Sequence, residues 1–131
     1  MEEAVDDVPL GDGVLLFAHG WAHLVVWGLI PSLQPQSDSD PAHSWVLGDN
    51  RPVANGLAVL TMATFAVAAV GLAVHATWWG TATIAASVAS LLLVGLLPAA
   101  VAGVWILVPI AINAALIVGV AWFDWPARAM F

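Results

Sequence analysis

Four long apolar segments, each without a lysine, arginine or acidic residue, constrain this chain more than any other feature of its sequence. They cover about residues 14–30, 56–76, 78–97 and 99–123. A membrane-spanning helix needs roughly 20 mostly apolar residues, and 62% of the 131 residues are hydrophobic while only 8% are charged. A soluble domain of this size exposes too much of its surface to hide so many apolar side chains. The segments therefore predict an integral membrane protein.

The continuity of the segments favours helices, because a membrane β-barrel would alternate apolar and polar residues. The links around Thr77 and at Leu97-Pro98 are short, and short links make successive helices antiparallel neighbours. The predicted fold class is all-α, a four-transmembrane-helix antiparallel up-down bundle in one membrane domain, residues 14–123. An acidic N-terminal segment, 1–13, precedes this domain, and a short C-terminal tail, 124–131, follows it.

The remaining link is the polar loop 31–55, which several prolines interrupt. Within it, the sequence AHSWVLG is predicted to form a short interfacial helix anchored by Trp45. Arg51 lies on this side of the membrane and Arg128 on the side of the termini, so the positive-inside rule counts one cation against one. This count does not decide the orientation of the chain in the membrane. We expect a multi-pass cell-membrane protein with cytoplasmic termini.

Charge and cysteine content exclude several functions. The chain has two arginines, no lysine and a formal charge of −7, so it cannot assemble the basic surface that nucleic-acid binding needs. It has no cysteine, which excludes disulfides and thiolate chemistry. The start of the chain is acidic and lacks the positive region of a secretory signal, so the first apolar segment is expected to remain as a span.

Two histidines occur inside the first apolar segment, in the sequence HGWAH. His19, His23 and Trp27 follow one another at intervals of four residues and therefore share one helix face. The helical rise places His23 roughly 13 Å from the nearer interface, close to the bilayer midplane. Ionisable side chains at that depth usually face the interior of the bundle.

Polar residues of the other segments are predicted to lie at the same depth. Ser87 comes nine residues after Trp78, and Asn113 comes nine residues before Trp122, so both fall roughly 13 Å below the same interface. Thr64 is expected somewhat deeper. His23, Ser87 and Asn113 thus form a predicted polar layer.

This layer has two interpretations, hydrogen bonding between helices or a site for a ligand or proton. The first makes the histidines structural. The second allows three arrangements. His19, His23 and His75 could form a column that leads inward, or His75 could ligate haem together with His19 or His23. The layer could also bind a quinone or another apolar ring. The candidate cofactor-binding residues are His19, His23, Trp27, His75, Ser87, Trp105 and Asn113, of which His23, Trp27, Trp105 and Asn113 would line a ring pocket. No metal site is predicted, because no carboxylate lies in a span to complete one.

The fourth segment has two further features. Pro109 lacks an N–H and is predicted to leave the carbonyl of Trp105 without its helical partner, with a kink there and Asn113 as a nearby donor. Small residues form a ridge suited to close packing, either inside the bundle or between subunits. This ridge consists of Ala111, Ala115 and Gly119.

The overall layout resembles a known group of proteins. It combines HGWAHL in the first helix, a polar loop ending at Arg51, Trp78-Trp79 at the start of the third helix and a proline in the fourth. In this it resembles small four-helix membrane proteins of the DoxX-like kind, over residues 14–122. The resemblance implies an association with quinol-oxidising or redox-associated membrane complexes.

The sequence contains no nucleophile elbow, phosphate loop or inward pair of carboxylates, which favours a role other than catalysis. It predicts a small non-catalytic multi-pass membrane protein that serves as an accessory subunit of a membrane assembly. No feature of the sequence requires a cofactor. The alternative is a carrier or redox-linked subunit that binds a quinone, haem or proton at the polar layer. The expected partners are the lipid bilayer and either another membrane protein or a second copy of the chain.

Overall fold

The computed structural model describes residues 10–27, 42–101 and 103–123. Over these residues the chain is mostly helical. Its four α-helices are α1 (Leu10–Val26), α2 (Arg51–Ala73), α3 (Trp79–Leu96) and α4 (Leu107–Phe123). A hairpin of two short strands, β1 (His43–Ser44) and β2 (Gly48–Asp49), precedes α2, and short 3-10 helices at Pro98–Ala100 and Gly103–Ile106 lie between α3 and α4.

Three of the helical stretches are long and apolar enough to cross a membrane. They are α2, α3 and the stretch Gly103–Phe123, which joins the second 3-10 helix to α4. The described part of α1 has 17 residues. The end of the first predicted span, at Ile30, lies outside the described residues, as do the loop residues 31–41 and the tail with Arg128.

Two helices begin earlier than the sequence predicts. Helix α1 is already formed at Leu10, and α2 begins at Arg51, whereas a start near Gly56 is expected from hydropathy. The side chain of Asn50 accepts a hydrogen bond of 3.2 Å from the N–H of Val53. This cap, followed by Pro52 in the first turn, starts the helix at a point that hydropathy does not reveal.

Helices α1 and α2 approach closely where glycine faces the neighbouring helix. A Cβ at Gly20 would lie 2.6 Å from Cβ of Phe65, and one at Gly13 would lie 3.6 Å from the carbonyl oxygen of Ala69. Gly13, the earlier glycine of α1, thus meets the later residue of α2, and Gly20 meets the earlier one. Helix α3 packs beside α2, and α4 contacts α3 where Gly80 lies beside Val120.

The apolar core has two parts, separated along the helices by a polar level. The part nearer the hairpin consists of Leu24, Trp27, Ala54, Ala58, Leu93, Val94, Leu97 and Ala100. The other part consists of Leu16, Phe65, Ala68, Ala69, Leu72 and Ala86. Between them along their helices come His23 in α1, Thr61 in α2 and Ser90 in α3, all buried. These three buried polar side chains therefore lie at mid-height, between two apolar clusters.

The predicted interfacial helix at AHSWVLG is wrong, because this stretch forms the β-hairpin. His43 pairs with Asp49 and Ser44 with Gly48. The hydroxyl oxygen of Ser44 accepts from the N–H groups two and three residues ahead, and Gly48 adopts a φ of 67°, so local polar bonds and glycine favour a turn over a helix. The indole N–H of Trp45 donates to the carbonyl of Gly95 at 2.7 Å, which fixes the hairpin against α3.

Candidate functional site

Four side chains from three helices form a hydrogen-bonded group at mid-height, here called the polar cluster. It consists of His19 and His23 of α1, Ser90 of α3 and Asn113 of α4. Nε2 of His23 lies 2.5 Å from Oγ of Ser90, and Nδ2 of Asn113 lies 2.7 Å from the same oxygen. Nε2 of His19 lies 3.4 Å from Oδ1 of Asn113. A single serine hydroxyl therefore connects α1 with α4 across α3.

The hydrogen-bond directions in the polar cluster follow from one backbone contact. Nδ1 of His23 lies 2.8 Å from the carbonyl oxygen of His19, which can only accept, so Nδ1 carries the proton. In a neutral ring Nε2 is then an acceptor, and the Ser90 hydroxyl donates its hydrogen bond to it. The Ser90 oxygen accepts from the Asn113 amide, whose own oxygen accepts from Nε2–H of His19. The bonds form a cycle in which each donor has one acceptor while both imidazoles are neutral.

The second N–H of Asn113 donates to the carbonyl of Pro109 at 2.7 Å. This corrects the prediction that Asn113 would serve the carbonyl of Trp105. Helix α4 begins at Leu107, so Pro109 lies in its first turn, where backbone N–H groups have no helical partner in any case. The proline thus fits the start of α4, and the predicted role as a kink inside a longer helix is wrong.

Aromatic rings enclose the histidines. The ring of His23 stacks on Trp27 with centroids 5.5 Å apart and on Phe65 with centroids 5.9 Å apart. His19 meets Phe65 edge to face at 4.9 Å. The indole N–H of Trp27 donates to the carbonyl of Leu97 at 3.1 Å, and both His23 and Trp27 are almost fully buried, at 2% and 3% exposed. His23 is therefore held in position from several sides.

A cavity of about 270 Å³ lies next to the polar cluster, between α1 and the beginning of α4. Three of the four residues predicted to line a ring pocket, His23, Trp27 and Trp105, do line it. The fourth, Asn113, is hydrogen-bonded to His19, which also lines the cavity. The rest of the wall is apolar and consists of Ala22, Val26, Val101, Val108, Pro109 and Ile112.

Ser90 takes the place in the polar cluster that the sequence predicts for Ser87. Ser87 is fully buried, but its hydroxyl has no hydrogen-bond partner among the described residues. Ser90, three residues further along α3, makes the hydrogen bonds to the other helices that were predicted for Ser87. Both serines lie on the inner face of the helix. The depth estimate from Trp78 is short by three residues, somewhat less than one helical turn.

His75 and Thr64 lie apart from the polar cluster. His75 is exposed in the turn after α2 and has a φ of 53°. Eight residues of helix, about 12 Å of rise, separate Phe65 at the level of His19 from the end of α2 at Ala73. The structure therefore does not bring His75 into a column with the other two histidines. Thr64 donates to the carbonyls of Leu60 and Thr61 within its own helix.

The polar cluster joins α1, α3 and α4 through hydrogen bonds. It contains no carboxylate, and among the described residues no group of three or more His, Cys, Asp or Glu side chains is placed to hold a metal ion. One nitrogen remains open. Nδ1 of His19 has no partner among the described residues and does not appear among the fully buried unpaired atoms, which belong to Asn55, Thr61 and Ser87. His19 is partly exposed and lines the cavity, so a ligand bound there would lie beside its ring.

Comparison with known proteins adds no relative. No protein-family model, curated protein or solved structure matches the chain. The resemblance to DoxX-like proteins stays a prediction from the layout of the sequence.

Proposed function

We propose that the chain spans the membrane four times as an antiparallel up-down bundle, with α1 as the first span. The order of contacts supports this arrangement, since Gly13 meets Ala69 while Gly20 meets Phe65. Both parts of the apolar core join α1 to α2 and α3, and the polar cluster joins α1 to α3 and α4. An α1 outside the membrane would place the buried His23 and its serine partner at different depths.

The absence of cysteine makes this topology testable without a background signal. Two exposed positions suit single cysteines, one in the hairpin (Asp49→Cys) and one in the α2–α3 turn (Thr77→Cys). In intact cells with cytoplasmic termini, a membrane-impermeant maleimide should label Asp49→Cys and should reach Thr77→Cys only after permeabilisation. Labelling of both from one side would contradict the bundle, and the reverse pattern would invert the orientation only.

We propose further that the protein is a non-catalytic accessory subunit of a membrane assembly. The observation that carries this proposal is the exposure of α4. Its one buried residue is Asn113, whereas α2 has eight buried residues. The ridge of Ala111, Ala115 and Gly119 lies on the outside of the described bundle, with Ala111 and Ala115 exposed. Small residues let membrane helices approach closely, so the ridge suits a helix from another subunit.

A bulky side chain on the ridge tests this role. Purified from its own membrane in mild detergent, the protein should migrate in a particle larger than the monomer, and Ala115→Trp should release the monomer. Ile110→Trp is the matched control, because Ile110 is also exposed on α4 but lies on a different face. A monomeric wild-type protein, or equal behaviour of the two variants, would contradict the proposal.

The cavity favours a second candidate function, the binding of a small ligand as a carrier or redox-linked subunit. Of the predicted ligands, an apolar ring has the best support, since Trp27 and Trp105 line the cavity beside His19. Haem ligation by His75 with His19 or His23 lacks support, because His75 lies in the exposed α2–α3 turn. Solvent extraction of the purified protein, followed by mass spectrometry, should recover a ring compound that Trp105→Ala retains less well. Equal recovery from both proteins would contradict this candidate.

A further inference from the structure

We infer that the cavity selects a neutral ring compound that carries a hydroxyl group, and that Nδ1 of His19 accepts a hydrogen bond from this hydroxyl. This inference rests on the second candidate function and specifies its ligand. The chemical class is that of phenols and other ring alcohols. The juxtaposition behind it is an imidazole, that of His19, which has one nitrogen without a partner among the described residues and lines a mostly apolar cavity together with two tryptophans.

The acceptor character of His19 follows from the cycle of hydrogen bonds. The carbonyl of His19 fixes the proton of His23 on Nδ1, and the Ser90 hydroxyl and the Asn113 amide then orient in turn. The cycle closes only if the Asn113 oxygen accepts a hydrogen bond from Nε2–H of His19. A neutral His19 with its proton on Nε2 has a lone pair on Nδ1. A ligand must therefore bring the donor.

The walls of the cavity limit the shape of the ligand. The indole of Trp27 is buried and fixed by its bond to Leu97, whereas Trp105 is 64% exposed and forms the outer wall. The volume of about 270 Å³ lies just below the roughly 300–1,000 Å³ of sites for drug-sized molecules. The cavity thus suits a single ring, and an alkyl tail on that ring would extend past Trp105 towards lipid.

A compound that only accepts hydrogen bonds should bind less well. An ether or ketone oxygen would face the lone pair of Nδ1, and the polar groups of both partners would lose their bonds to water without replacement. Ligands that lack the one matching hydrogen bond of a buried site are commonly rejected by tenfold or more.

The test compares 4-hexylphenol with its methyl ether, which keeps the ring and tail but lacks the donor. Binding to the full chain in lipid nanodiscs is measured by isothermal titration, and partition into empty nanodiscs is subtracted. We expect the phenol to bind about tenfold or more tightly than the ether. In His19→Phe the preference should disappear, while in Trp105→Ala both compounds should bind more weakly. Thr64→Ala, on a different surface, should match the wild type.

The outcomes separate the inference from the function on which it rests. If neither compound binds to the wild-type protein, both the inference and the ligand-binding candidate are overturned. Equal binding of phenol and ether overturns the role of His19 and leaves a ring-binding cavity. A preference for phenol that persists in a folded His19→Phe variant, as judged by its thermal unfolding, also overturns the role of His19.

Discussion

The α1–α2 interface and the contact between α1 and α4 hold helices together in different ways. At the first, glycine allows the backbones to approach until Gly20 leaves no room for a Cβ beside Phe65. At the second, Asn113 is hydrogen-bonded to His19 and to Ser90, and a cavity occupies the space beside them. Close packing should therefore supply most of the stability, while the α4 side has room for a ligand and an outer face for a partner.

The largest effect should come from filling the α1–α2 interface. Gly20→Leu would place a Cβ 2.6 Å from Cβ of Phe65 and further atoms beyond it, which forces the helices apart. We expect the free energy of unfolding to fall by about 3 kcal/mol or more. Unfolding in mixed micelles with increasing SDS measures this change.

Gly56→Leu is the control for this experiment. Gly56 also lies in a helix, but an added Cβ would meet no atom within 4 Å. Leucine has the higher helix propensity, so this variant should unfold like the wild type or slightly later. Similar losses in the two variants would show that close approach at Gly20 is not what holds α1 to α2.

The next largest effect should come from Asn113, the residue that joins α4 to the other helices. Asn113→Leu keeps the size of the side chain but removes its bonds to His19, Ser90 and Pro109. Hydrogen bonds between membrane helices contribute about 0.6 kcal/mol on average, and a loss of about 1–2 kcal/mol is expected in the same unfolding assay. A loss as large as that of Gly20→Leu would refute the difference between the two interfaces.

The sequence predicts that a polar layer exists inside the bundle better than it predicts which residues belong to the layer. The apolar segments and the spacing of His19, His23 and Trp27 suffice to place the histidines inside the bundle. The spacing from Trp122 also places Asn113 in this layer, but its hydrogen-bond partner on α1 is His19 and not His23, with which the depth estimate matched it. The choice between Ser87 and Ser90 needs the register of α3 to within one turn, and the tryptophans used as depth markers do not define helix ends that closely.

Two other features depend on interactions that hydropathy does not register. The hairpin at Ser44 and Gly48 is decided by side-chain bonds to the backbone and by a positive φ. His75 ends in the α2–α3 turn because α2 stops at Ala73, before the end of its apolar run. Local polar bonds, which contribute little to a hydropathy profile, decide such boundaries.

A smaller effect separates the two serines of α3. Ser90→Ala removes the acceptor of Asn113 and the donor to His23, and a loss of about 1 kcal/mol is expected. Ser87→Ala removes a buried hydroxyl that has no partner among the described residues, so it should be neutral or slightly stabilising. The difference between these variants in one unfolding series isolates the hydrogen bonds from the volume of the hydroxyl. Identical results would mean that the cycle of bonds contributes nothing.

The smallest change in stability should come from Trp105→Ala, although this substitution removes the outer wall of the cavity. Trp105 is 64% exposed, and substitutions at exposed positions usually change stability by less than about 0.5 kcal/mol. The same indole should matter for ring binding, because it closes the cavity opposite Trp27. A variant that unfolds like the wild type yet binds 4-hexylphenol more weakly would show that the Trp105 side chain serves ligand binding and is not needed for folding. If Trp105→Ala instead destabilises as strongly as Asn113→Leu, the indole belongs to the packing of the bundle, and the cavity is only a gap between helices.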